Sequence, residues 1–224
     1  MKAHFLKFSI IYFVIGITEV IAEFFAFNQA IIILKPLIPL MLMIVYRMTS
    51  TEQNPLFFAT MFFSFLTNLL FLPIGPDVLF YAVIAFTVHR ILFIYCILKI
   101  LKIKDFIPIA IGFVPFFFLF SYVFKFADEV SNTMYAMIIL QNFLISALGG
   151  IALSNYIMKD DSKNSWLYMC GLLFVLLQFV IFIERYYIMI SIFRPIAMLL
   201  NVSGFYCFYR FFISTETSNN NGSS

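Results

Sequence analysis

Apolar residues run along this chain in blocks of about twenty, the length a helix needs to cross about 30 Å of hydrocarbon at about 1.5 Å per residue. The blocks predict membrane-spanning helices over 7–26, 28–46, 56–73, 77–98, 106–124, 133–157, 166–184 and 188–212. Polar or proline-bearing breaks separate them at 49–55, 73–76, 99–105, 125–132 and 159–165. Between the first two blocks only Glu23 and Asn28 interrupt the run, so a seven-span reading stands beside the eight-span one. Residues 214–224 are polar and rich in Ser and Asn, which predicts a disordered cytoplasmic tail after a single transmembrane domain of 1–213.

Composition agrees with this pattern. The chain is 63% hydrophobic and 11% charged, whereas a soluble domain carries roughly 25% charged residues to wet its surface. The predicted class is therefore all-α, an integral multi-pass bundle of about eight helices. Lys2 and Lys7 ahead of the first apolar run invite a signal-peptide reading. That run is longer than a signal core and has no small-residue cleavage site, so it reads as an uncleaved helix.

Charge sets the expected orientation. With eight spans, Lys2, Lys7, Arg47, Lys99, Lys102, Lys104, Lys159, Lys163 and Arg210 fall on the side of the termini. Only Lys125 and Arg185 fall on the other, and the positive-inside rule then predicts both termini in the cytoplasm. Trp166 and the pair Tyr186-Tyr187 lie at helix ends, where aromatic belts form.

Polar side chains at membrane depth are few, and each costs about 2.5–3.5 kcal/mol to insert when charged, so each needs a partner or a purpose. They are Glu19, Glu23, Lys35, Asn68, His89, Arg90, Gln141, Asn142, Gln178, Arg194 and Asn201. Such a layer either lines one polar cavity or serves as glue between helices and snorkels at their ends. Glu23 and Arg194, near helix ends, suit snorkelling or a surface pair. Glu19 and Glu23, four apart on one face, equally suit a cation site. His89 and Arg90 point about 100° apart and are not expected to share a partner. Lys35 precedes Pro36 and Pro39, whose missing N–H groups loosen the helix, and this makes it a pocket candidate.

No hydrolase, metalloprotease or nucleotide-loop motif is present, nor a nucleic-acid-binding pattern. Cys96, Cys170 and Cys207 sit in apolar runs without ligand spacing, so neither a metal nor a cofactor is expected. Gly149-Gly150 suggests close helix packing.

One family resemblance spans most of the chain. Lys35-Pro36, the segment Phe63-Ser64-Phe65-Leu66-Thr67-Asn68-Leu69-Leu70, then His89, Tyr135 and Gly171-Leu172-Leu173-Phe174 follow in an order that resembles the YhhN-like lysoplasmalogenase family. The resemblance implies eight spans and hydrolysis of the vinyl-ether bond of lysoplasmalogens by two facing carboxyl groups, one acid and one base. This chain departs from the family at both carboxylates: Asn68 stands at the Gly-Asp position and Gln178 at the Ser-Asp position. Amides cannot exchange a proton near neutral pH. The resemblance thus implies a catalytically impaired protein whose pocket candidates are Lys35, Asn68, His89, Tyr135 and Gln178, with a membrane lipid or lysolipid as partner. Proton transfer by Glu19, Glu23 or His89 instead stays open. Two other classes stand beside it: a small carrier with a midplane polar site, and a structural protein whose polar groups only pack.

Overall fold

Each apolar block forms a helix. The computed structural model describes residues 2–71, 76–101, 103, 105–125, 132–159, 161–188 and 190–221. Among them run α1 (Lys2–Phe24), α2 (Asn28–Thr49), α3 (Pro55–Leu70), α4 (Pro76–Leu101), α5 (Ile107–Phe124), α6 (Asn132–Met158), α7 (Ser162–Tyr186) and α8 (Phe193–Asn221). Six helices are long and apolar enough to cross a membrane: α2, α5 and α7 entire, and α4, α6 and α8 over 80–101, 135–158 and 193–217. At 16 residues, or about 24 Å, α3 is shorter, and α1 carries Lys7, Glu19 and Glu23. This is the fold of a polytopic helical membrane protein. Most of the expected breaks at 73–76 and 125–132, and Lys102 and Lys104, lie outside the described residues.

The ambiguous first boundary is a true helix end. Ala26 takes the left-handed conformation (φ 54°), the Ala26 N–H reaches the Glu23 carbonyl at 3.3 Å, and the Phe27 N–H reaches the Ala22 carbonyl at 2.9 Å. That pair of bonds is a Schellman cap built on alanine where glycine usually sits, so no sequence punctuation announces it. Other ends are conventional. The Asn54 side chain accepts from the Leu56 N–H at 2.9 Å, with Pro55 opening α3. Asp161 accepts from the Asn164 N–H at 2.8 Å to open α7. Partial burial pushes the Asp161 carboxyl up, but the Asn164 N–H, Lys159 and Lys163 outweigh it and hold the group below the ordinary carboxylate range.

The helices pack in a ring: α1 on α2, α2 on α3, α3 on α4, α4 on α6, α6 on α7, α7 on α8, and α8 back on α1. Tyr12 of α1 donates to the Val202 carbonyl of α8 at 2.7 Å, while Val20 and Ile21 meet Ile196 and Leu199. Rising numbers on α1 thus meet falling numbers on α8, which brings both termini to one end of the bundle. Inside the ring Phe93 of α4 stacks on Phe208 of α8 at 4.0 Å, and Phe208 on Phe57 of α3 at 5.6 Å.

Helix α5 stands outside the ring against α6, with Ile111 70% exposed to what a membrane would fill with lipid. Backbones touch at this crossing: a Cβ on Gly150 would lie 2.7 Å from the Phe113 nitrogen, and one on Gly112 2.9 Å from the Gly150 carbonyl oxygen.

Helix formation reaches into the stretch that the sequence reads as a disordered tail. Helix α8 continues through Asn221, and residues 222–224 lie outside the described set. Within it Glu216 is only 6% exposed, and its carboxylate accepts from Ser50 Oγ at 2.6 Å, Tyr46 Oη at 3.0 Å and the Thr51 N–H at 3.0 Å. One carboxylate thereby ties the extension of α8 to the turn between α2 and α3.

Candidate functional site

Two neighbouring residues near the middle of α4 organise the polar interior. His89 is 5% exposed, and its Nδ1 lies 2.9 Å from the Thr60 carbonyl of α3. A carbonyl only accepts, so Nδ1 carries the proton and the lone pair of the neutral ring is on Nε2. Arg90, 7% exposed, points the other way. Its Nη2 donates to Gln178 Oε1 of α7 at 2.6 Å and its Nη1 to the Gln141 carbonyl of α6 at 3.3 Å, with its Cζ 4.4 Å from the Phe86 ring centre. Gln141 Nε2 donates in turn to Thr87 Oγ1 at 2.6 Å. Every partner of Arg90 is neutral. Among the described residues no carboxylate pairs with this guanidinium, and buried cations are normally paired.

The second polar group joins α1, α2 and α3. Lys35 Nζ lies 2.9 Å from Glu23 Oε1, the carboxylate side chain being 6% exposed. The Lys35 carbonyl has a different problem. In a regular helix it would accept from the residue four positions on, which is Pro39 and has no N–H. Asn68 Nδ2 supplies the missing donor at 3.0 Å. The proline break in α2 is thus closed by a side chain from α3.

A partly open cavity of about 60 Å³ lies between α3, α4, α6, α7 and α8. At about 10–15 Å³ per water this volume holds several waters, far below the 300–1,000 Å³ of a typical ligand pocket. Its polar wall is Ser64, Thr67, Asn68, His89, Arg90 and Asn201, and the rest is Phe, Leu and Ile. On α6 the Oε1 of Gln141 and the Oδ1 of Asn142 are buried without a partner among the described residues.

Of the residues singled out from the sequence, Asn68 and His89 border this cavity. Gln178 does not line it but holds Arg90, which does. Lys35 is not on the cavity wall; its ammonium is committed to Glu23 and only its carbonyl reaches Asn68. Tyr135 is elsewhere, 50% exposed and packed on Phe124 at 4.8 Å. Arg194 forms a surface pair with Glu184 at 3.0 Å.

Arg90 and Asn201, members of the polar layer at membrane depth that the family resemblance does not mark as pocket residues, also border the cavity. The signal for Arg90 was present: a permanent cation amid an apolar span. Its 100° offset from His89 rightly excludes a shared partner, since the two bond to different helices, but not a shared cavity that wraps around α4. No family model, curated protein or solved structure matches this chain.

Proposed function

We propose that this protein binds the anionic head of a membrane lipid or lysolipid at Arg90, as a catalytically impaired relative of the YhhN-like lysoplasmalogenases with both termini in the cytoplasm. The observation that carries the reading is a buried guanidinium on a cavity wall with only neutral partners. Burying an unpaired charge costs several kcal/mol, and a phosphate offsets this through short, bidentate hydrogen bonds that suit the guanidinium fork. At about 60 Å³ the cavity has room for a few waters, which a phosphate bound at Arg90 would displace. The Lys and Arg excess on the side of the termini supports the orientation.

The impairment follows from what the two amides do. Asn68 donates to the Lys35 carbonyl and Gln178 accepts from Arg90, so both sit in structural bonds, and neither exchanges a proton. Among the described residues no carboxyl group lines the cavity and His89 is its one imidazole, whereas vinyl-ether hydrolysis needs both an acid and a base. A purely structural role fits less well, because it asks for paired polar groups and no cavity.

The test uses the purified full chain in neutral detergent. Lysophosphatidylethanolamine should raise the melting midpoint, a monoacylglycerol of the same chain length should not, and Arg90→Met should abolish the difference. Equal shifts from both lipids, or a shift that survives Arg90→Met, would refute the assignment. Aldehyde release from lysoplasmalogen should stay at background, and robust release would instead make the protein a hydrolase.

A further inference from the structure

The largest charge imbalance away from Arg90 lies between α1 and α2. Glu19 is 0% exposed, and among the described residues no N–H or hydroxyl group donates to either of its carboxyl oxygens. Glu23, one turn on, already holds the Lys35 ammonium at 2.9 Å. Two buried carboxyl groups therefore share a single ammonium. The charged groups acting on Glu19 are Lys35 from α2 and Glu23 from its own helix. On the other side, α8 meets this stretch of α1 with apolar groups: Val202 against Gly16, and Ile196 and Leu199 beside Val20 and Ile21. The charged side chains of α8 are engaged elsewhere, Arg194 with Glu184, Arg210 over the Trp166 ring and Glu216 on Ser50.

A desolvated carboxylate with no donor and no counter-ion of its own is not a stable arrangement, so one more positive charge belongs there. A proton suits the site better than a metal ion. No three His, Cys, Asp or Glu among the described residues form a metal-binding group, and Glu19 lines neither described cavity. A proton needs neither extra ligands nor room.

We infer that Glu19 is a proton-binding carboxyl. As the bundle closes it takes one proton from water, forms an O–H bond and is held as the neutral acid while Lys35 stays on Glu23. Loss of that proton to water would leave two carboxylates, one helical turn apart, competing for one ammonium. Lys35 is also the residue whose carbonyl Asn68 holds at the cavity wall, so the proton site and the cavity share a connection. The assignment does not depend on what the cavity binds.

The experiment is infrared spectroscopy of the full chain in detergent at neutral pH, following the C=O stretch of protonated carboxyl groups. Glu19→Gln should remove one band. Glu23→Gln, which leaves the Glu19 carboxyl in place, should remove the same band, because the freed ammonium then stabilises the Glu19 carboxylate. The melting midpoint should fall as pH rises from the ordinary carboxylate range to just past neutral in the wild type, since over that window the folded state holds a proton that the unfolded chain has released, and the fall should be shallower in Glu19→Gln. A spectrum unchanged by Glu19→Gln, or a band that survives Glu23→Gln, overturns the inference. So does stabilisation by sodium over choline that Glu19→Gln abolishes, which would mark a metal cation instead.

Discussion

Two buried charge clusters in this bundle have opposite deficits. Between α1 and α2, Glu19 and Glu23 share the one ammonium of Lys35. Between α4, α6 and α7, Arg90 has amide and carbonyl oxygens but no carboxylate. The chemistry of the ions decides what each deficit means. A surplus carboxyl removes its charge by binding a proton, so the first cluster is neutral within itself. A guanidinium keeps its charge at any accessible pH, so the second stays cationic until an anion arrives. The first cluster therefore belongs to stability and the second to binding.

Removing each cation separates the two most strongly. Lys35→Met strands Glu23 in the interior and should cost about 3 kcal/mol, at the low end for a broken buried pair because Lys35 is partly exposed. Arg90→Met strands no carboxylate and should change stability by about 1 kcal/mol or less, since a buried ionic group replaced by an apolar one of similar size is often neutral. Unfolding of both variants in mixed micelles measures the contrast, and equal losses would erase the distinction.

A medium effect probes the link between them. Asn68→Leu leaves the Lys35 carbonyl without a donor opposite Pro39 and should cost about 1–3 kcal/mol, the range for an orphaned buried acceptor. An ionised Asp at this position also lacks the donor, so Asn68→Asp should be destabilising near neutral pH. If Asn68→Asp is as stable as the wild type, the side chain is not repairing the proline break, and its role moves to the cavity.

The smallest effect sharpens the frame around the first cluster. Ala26→Gly relieves a left-handed alanine in the cap that separates α1 from α2 and should stabilise the fold by about 1 kcal/mol. A rise in melting midpoint checks it. No change would mean that the cap relaxes elsewhere.

Much of this architecture is legible in the residues alone. Among the described residues helices lie where the apolar blocks run, six of them long and apolar enough to span, because the need to satisfy every backbone group inside one segment leaves little choice. The polar residues at depth are equally visible. Their pairing is not, because helix periodicity gives a direction within one helix and says nothing about which neighbour stands there. Lys35 looked like a pocket residue because of Pro36 and Pro39, yet the free carbonyl made by Pro39 is met by Asn68 and the ammonium by Glu23. Tyr135 looked like a pocket residue by resemblance, and α6 turns it outward. Ser and Asn dominate the tail and make it read as unstructured, yet α8 continues into it as far as Asn221, with Glu216 held by Ser50. Composition and hydrophobic blocks determined that this chain is a helical membrane protein, since those are short-range properties of side chains and backbone. Which charges meet, which stay alone and where a cavity opens were decided only when the helices packed, since they depend on contacts between residues far apart in the chain.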